Sequence, residues 1–143
     1  MRIADCGIKT KIIRTSFGWI GVAVSGEGII SVILPRKSRS AVARELELVR
    51  CRRAAAGPAA ERLLAKAVKQ LERYFAGESL TFDLPVDLRQ YTPFQKAVWK
   101  AAAEIPYGET RSYGRIAKRI GRPLAARAVG QAMGANPVPL LVP

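Results

Sequence analysis

Ala125-Ala126-Arg127-Ala128-Val129-Gly130-Gln131-Ala132-Met133-Gly134-Ala135-Asn136-Pro137-Val138-Pro139 is a run of small residues around a single arginine. Ala126, Val129 and Met133 recur at the three-four spacing of one helix face and give an apolar stripe for packing. Ala125, Ala128, Gly130 and Ala132 leave the adjoining surface nearly flat, so a helix here can approach another body closely. Pro123 suits the first helical position, and Asn136 before Pro137 is pushed out of the helical region, which frames the helix at both ends. An alanine-rich core helix has the same composition, and the flanking residues separate the two readings.

Upstream, Ser112 is placed to cap a short helix over Tyr113 to Ile120 that Gly121 ends, with Ile116, Ala117 and Ile120 pointing inward and Arg115, Lys118 and Arg119 outward. Before it, Thr92-Pro93-Phe94-Gln95 combines a capping threonine, a proline at the first helical position and a glutamine that reaches back, as in a capping box. That helix runs to about Ile105, where Pro106-Tyr107-Gly108 stops it. Three helices with a tight glycine turn between the second and third make the pattern of a helix-turn-helix. Such proteins usually read the major groove with polar side chains, yet here only Arg127 and Gln131 stand among alanines and glycines. The minor groove is about half as wide and admits a helix only where its side chains are short.

The first half reads differently. Ile8 to Arg14, Gly18 to Ser25 and Gly28 to Leu34 predict three strands rich in Ile and Val, with Ser25-Gly26-Glu27-Gly28 as a hairpin turn. Pro35 closes the third strand, and Arg36-Lys37-Ser38-Arg39 leads as a solvated turn into a helix around Ala41 to Val49, with Ser40 as N-cap. Pro58 opens a longer amphipathic helix in which Leu63, Leu64, Ala67, Val68, Leu71 and Phe75 share a face, and Gly77 ends it. Its apolar face requires a partner, and the three-stranded meander is the one available. Leu88-Arg89-Gln90-Tyr91 reads as a linker.

A chain of 143 residues, 49% hydrophobic and 24% charged, suits one domain or two small ones. No apolar run approaches the roughly 18 residues of a membrane span, and Asp5 with scattered Lys and Arg breaks any signal-peptide core. The expectation is a cytoplasmic protein with no membrane partner. Cys6 and Cys51 are the only cysteines and there is no histidine, so a tetrahedral zinc site would need carboxylates in its other places, which argues against a structural zinc and favours two reduced thiols. The formal charge of +13 is uneven: residues 1–53 carry eleven bases against four acids, 54–90 five of each, and 91–143 eight against two. Such a surface attracts polyanions.

Arg127-Ala128-Val129-Gly130 followed by Asn136-Pro137-Val138-Pro139 resembles the O6-alkylguanine-DNA alkyltransferase family, the suicidal DNA-repair methyltransferases. The resemblance extends through Thr92-Pro93-Phe94-Gln95, Ile105-Pro106-Tyr107-Gly108-Glu109-Thr110 and Ser112-Tyr113, and more loosely to Tyr74-Phe75-Ala76-Gly77 and Phe82-Asp83-Leu84-Pro85. It implies an α+β fold: a small N-terminal antiparallel sheet with helices, ribonuclease H-like, over residues 1–88, and a helical winged-helix or helix-turn-helix domain over 91–143. In the family the residues after a proline matching Pro143 are Cys-His-Arg, so the resemblance places the nucleophile immediately after Pro143 and makes the second domain truncated.

The resemblance also assigns roles. Arg127 matches the arginine that fills the gap left when the damaged nucleotide is rotated out of the stack, and Ala125, Ala126 and Gly130 belong to the same DNA-binding surface. Extruding a base costs a few kcal/mol of unstacking, which an inserted side chain offsets. Tyr113 matches the tyrosine that crowds the neighbouring phosphate and hydrogen-bonds the base; as a plain residue it is also an ordinary packing tyrosine. Asn136 matches the asparagine that braces the turn carrying the reactive cysteine. Apart from the resemblance, Arg115, Lys118 and Arg122 are generic candidates for phosphate contact, and each also suits a plain solvated position. The implied partner is duplex DNA holding O6-alkylguanine or O4-alkylthymine, met by a monomer without metal or cofactor and associated with the nucleoid through DNA.

In the family a thiolate activated by the adjacent histidine takes the alkyl group permanently, which needs a depressed thiol pKa. Cys6 and Cys51 follow no proline and have no histidine to activate them, so these 143 residues are expected to transfer no alkyl group. Two further readings are a non-catalytic alkyltransferase-like damage sensor, in which another residue replaces the cysteine, and a winged-helix transcription regulator.

Overall fold

The first two strands are joined at Ser16 and Phe17, where the Thr15 hydroxyl donates to the Gly18 carbonyl at 2.8 Å and accepts from the Phe17 amide at 3.1 Å. In the computed structural model, which describes residues 7–49, 57–78, 81–106 and 109–141, β1 (Lys9–Thr15), β2 (Gly18–Val24) and β3 (Ile29–Arg36) form an antiparallel meander in that order. Ile12 faces Gly21 across the first pair and Val22 faces Val32 across the second, with register shifts near both ends of the second pair. Cys6 and Cys51 lie outside the described residues.

Two compact units divide the chain, residues 1–89 and 90–143. In the first, α1 (Arg39–Glu47) and α2 (Pro58–Phe75) flank the sheet. Val42 and Leu46 of α1 pack on Ala23, Ile30 and Ile33. Gly21 permits this closeness, since a Cβ there would stand 2.6 Å from Val42 Cγ1. Ile20, Val22 and Val24 alternate with those residues and are fully buried, and α2 packs against β1 and β2 with Ala60, Ala67 and Leu71 buried. The expected pairing of the long helix with the meander is therefore present. It ends as Gly77 turns left-handed at φ 93°, with Gly77 and Glu78 donating back to the Tyr74 and Arg73 carbonyls at 3.0 and 3.1 Å.

One cap differs from expectation. The α1 N-cap is Ser38, whose hydroxyl accepts from the Ala41 amide at 3.1 Å, and not Ser40, which sits inside the first turn. Both serines match the composition of a cap, but only Ser38 has the extended backbone, φ −135° and ψ 152°, that aims a side chain at the free amides.

The residues after α2 return to the sheet. Ile29 donates to the Pro85 carbonyl at 2.8 Å and Asp87 to the Ile29 carbonyl at 2.9 Å, with Val86 in parallel register beside Ile29. Gly28 makes room for this segment, because a Cβ there would lie 2.6 Å from the Asp87 nitrogen. Asp87 is buried and accepts from Ser25 Oγ at 2.7 Å and from Arg89 Nε and Nη2 at 2.9 and 2.8 Å, while Arg89 Nη1 reaches Glu27 at 2.9 Å. Arg89, which the sequence assigns to the linker, thus ties the exit segment to the β2–β3 turn.

The second unit holds α3 (Pro93–Ala103), α4 (Tyr113–Arg119) and α5 (Ala126–Gly134). The capping box opens α3: Thr92 Oγ1 accepts from the Gln95 amide at 3.1 Å and Gln95 Oε1 accepts from the Thr92 amide at 3.0 Å. Its core is Val98, Trp99, Ala102, Ile116, Ala117, Val129, Ala132 and Val138, all buried. Trp99 Nε1 donates to the Ala132 carbonyl at 2.8 Å, which pins α5 to α3, and Tyr91 meets the Trp99 ring edge-on at 4.9 Å.

Candidate nucleic-acid interface

Gly121 shapes the corner between α4 and α5. At φ 79° it takes the left-handed conformation that ends a helix. Its amide donates to the Lys118 carbonyl at 3.1 Å and the Arg122 amide to the Ala117 carbonyl at 2.8 Å, the paired bonds of a Schellman ending. Pro123 then lies in the turn and not at the first helical position as expected. The Ala125 amide bonds the Arg122 carbonyl at 3.0 Å, and α5 begins only at Ala126 with Ala125 as N-cap. A second turn closes ahead of the helix, which the proline signal alone does not distinguish from a helix start.

Along α5 the exposed residues are Arg127, Ala128, Gln131 and Gly134, followed by Ala135 at the cap. Their spacing of one, four, seven and eight is a single helix face. Only Arg127 and Gln131 rise from it. Val129 and Ala132 are buried on the opposite side, and Ala125, Ala126, Gly130 and Met133 are half-buried along the flanks. Ala132 was expected on the flat surface and instead packs inward, its carbonyl held by Trp99, because it lies three residues from Val129 on the core face.

Tyr113 and Gly130 are brought together. Ser112 caps α4 by accepting from the Arg115 amide at 3.2 Å, and Tyr113 follows as the first helical residue, 50% exposed. Its ring lies against Gly130, where a Cβ would stand 3.0 Å from Tyr113 Cε2 and 3.1 Å from Cδ2. The Cδ2–Cε2 edge of the half-exposed ring therefore lies against α5 at Gly130.

Asn136 follows α5, and its Oδ1 accepts from the Val138 amide at 2.9 Å, which turns the chain and seats Val138 in the core. Beyond it Leu140 adopts φ 78°, a left-handed conformation costly for a leucine.

Electrostatics reinforce the arrangement. The two acids of this unit are engaged: Arg119 donates to Glu104 through Nη2 at 2.8 Å and Nε at 3.1 Å, and Arg111 Nη2 lies 3.7 Å from Glu109. Lys96, Lys100, Arg115, Lys118, Arg122 and Arg127 have no ion-pair partner among the described residues. Arg111, Arg115 and Arg119 line a cleft of about 450 Å³ between the end of α3 and α4. Leu124 stands fully exposed in the turn before α5, a residue the pattern reading passed over because a single apolar residue in a turn carries no periodic signal. Among the described residues no group of His, Cys, Asp and Glu is placed to hold a metal, and no helix is long and apolar enough to cross a membrane.

A helical unit with a glycine-cornered helix-turn-helix, its last helix smooth and cationic, joined to a three-stranded sheet flanked by helices, defines an α+β protein with a nucleic-acid-binding form. Residues 8–88 match the 6-O-methylguanine DNA methyltransferase ribonuclease-like domain, and residues 93–143 match the DNA binding domain of the same proteins. The chain belongs to the O6-methylguanine DNA methyltransferase family.

Among its relatives, the methylated-DNA--protein-cysteine methyltransferase of Mycolicibacterium paratuberculosis is 58% identical over 82 residues, covering 57% of this chain and 49% of that protein. The constitutive methylated-DNA--protein-cysteine methyltransferase of Bacillus subtilis is 55% identical over 80 residues, covering 56% and 48%. The chain thus spans about half the length of the curated relatives it matches. The crystal structure of Mycobacterium tuberculosis O6-methylguanine methyltransferase superposes with a TM-score of 0.67 at 40% identity, covering 95% of this chain and 75% of that one. The Mycobacterium tuberculosis OGT structure in complex with DNA gives 0.66 at 42%, covering 94% and 74%.

Proposed function

We propose that the unit of residues 90–143 binds duplex DNA in the minor groove through the exposed face of α5, and that Arg127 occupies the stack when a nucleotide bearing O6-alkylguanine or O4-alkylthymine is rotated out. The observation that carries this reading is the face itself: one arginine without an ion-pair partner among the described residues, on a surface otherwise made of Ala128, Gln131, Gly134 and Ala135. A long unpaired side chain on a smooth helix suits insertion between base pairs, while the short neighbours allow the helix axis to come near the groove floor. Two polar side chains are too few for readout across a major-groove site, which weighs against a sequence-specific regulator. The complex of the Mycobacterium tuberculosis relative with DNA supports the same partner for this chain.

Ala125 and Ala126 form the entry of this surface, and Tyr113 acts beside the displaced nucleotide. Asn136 braces the turn after α5 by holding the Val138 amide. The alkyl acceptor in this proposal is a cysteine outside residues 1–143, since Cys6 and Cys51 belong to the range of the first unit and no histidine accompanies them. Residues 1–88 then serve as the accompanying domain, and the protein acts as a cytoplasmic monomer on chromosomal DNA without a cofactor.

Arg127→Ala tests the reading. In a duplex carrying a fluorescent base analogue at the target position, unstacking raises the emission. The wild-type chain is expected to produce that rise, and Arg127→Ala to reduce it at least fivefold while overall DNA affinity changes less than threefold, because one side chain among several phosphate contacts acts chiefly on the flipped state. Equal emission from both proteins at saturation would remove Arg127 from the role.

A further inference from the structure

Gly130 sits in the interior of α5 with an ordinary helical backbone, since it is absent from the glycines of positive φ. A glycine there weakens the helix relative to alanine and uses none of its conformational freedom. What the position does require is room. A Cβ on Gly130 would press on Tyr113 at 3.0 Å from Cε2 and 3.1 Å from Cδ2, tighter than carbon atoms normally approach. Tyr113 is 50% exposed, which leaves its ring room to give, so an added methyl group displaces the ring by a few tenths of an ångström. The contact falls midway along the ring and the hydroxyl lies beyond it, so the tilt moves the hydroxyl further than the carbons that are touched.

We propose that Gly130 is a positioning residue for Tyr113: the missing side chain forms the seat on which the ring lies, and the seat fixes where the phenol meets the displaced nucleotide. This gives Gly130 a role acting through Tyr113 rather than through its own contact with DNA, and it rests on the reading that Tyr113 works beside a flipped base. The Tyr113 ring is thereby held by α5 itself, the helix that enters the groove, so the two reach the DNA in fixed relation.

The test is a cycle of Gly130→Ala, Tyr113→Ala and the double variant on the fluorescent duplex, together with the nuclear Overhauser contact between the Tyr113 ring and the Gly130 α-protons in the free protein. The ring-to-glycine contact is expected in the wild type. Gly130→Ala is expected to lower the unstacking signal three- to tenfold with the half-saturating DNA concentration shifted less than twofold. Once Tyr113 is alanine, adding Gly130→Ala should change nothing further, because no ring remains to displace. A wild-type signal from Gly130→Ala, an equal loss on both backgrounds, or absence of the ring-to-glycine contact would overturn the proposal. If the contact is present but Tyr113→Ala signals like the wild type, the role of Tyr113 at the flipped base falls and the positioning role falls with it, while the seat itself stands.

Discussion

Asp87 is the one buried carboxylate among the described residues, and its surroundings decide its charge. Burial acts to raise its pKa, but the hydrogen bonds from Arg89 and Ser25 and the nearby Arg89 charge together outweigh it and hold the carboxyl below its ordinary value. A carboxyl lowered on folding contributes stability that is fully present above its unfolded pKa, about 3.9, and that is lost as pH falls through the lower folded value. Asp87→Asn is therefore expected to destabilise the protein by about 1.5–3 kcal/mol at neutral pH, the range for a hydrogen bond to a charged group. Urea unfolding at neutral pH and near pH 3 measures it, and the gap to wild type should narrow in acid. A gap that is unchanged or wider in acid would contradict this role. Nothing in the sequence singles out Asp87, because Ser25 and Asp87 are 62 positions apart and each is an unremarkable polar residue in a turn-rich stretch. By contrast the Ser25-Gly26-Glu27-Gly28 turn is legible, since a glycine-bearing break between two β-branched runs has few other meanings.

At the scale of elements, the three strands, the long helix and the three C-terminal helices follow from periodicity and punctuation alone, while the details of their ends do not. The α1 cap shows why. Ser38 and Ser40 are equivalent as composition, and only the backbone angles of Ser38 direct its hydroxyl to the Ala41 amide. Ser38→Ala is expected to cost about 1 kcal/mol of stability and Ser40→Ala a few tenths, read from thermal or urea midpoints. The reverse order would place the cap at Ser40 after all. The start of α5 is a second such end: Pro123 carries a helix-start signal, yet the Schellman bonds after α4 use Gly121 and Arg122, and another turn intervenes before Ala126. On α5 itself the apolar stripe is visible in the sequence, but the contact of Gly130 with Tyr113 is not, because it joins helices whose crossing no periodicity encodes.

Over the whole molecule the formal charge of +13 draws both halves of the chain toward polyanions, and total charge does not tell which surface meets DNA. Residues 1–53 carry eleven bases, against eight in residues 91–143. Binding through several phosphates releases counterions, so affinity is expected to fall by more than tenfold between about 50 and 200 mM salt, with little preference among duplex sequences. A titration at the two salt concentrations on two unrelated duplexes checks this, and salt-independent binding would exclude a phosphate-dominated interface. The family's transfer step needs a thiolate in line with the alkyl carbon at roughly 3 to 3.5 Å. Incubation of the 143-residue chain with methyl-labelled DNA is accordingly expected to leave Cys6 and Cys51 unmodified by mass spectrometry, and stoichiometric methylation of either would overturn that assignment. The most direct test of DNA docking through α5 is a titration of the isotope-labelled chain with a short duplex, followed by its amide resonances. The predicted result is perturbation at Arg127, Ala128, Gln131, Gly134 and Ala135, with Tyr113 and without β1. Perturbation of the basic residues Lys9, Lys11 and Arg14 while the α5 amides stay in place would contradict it.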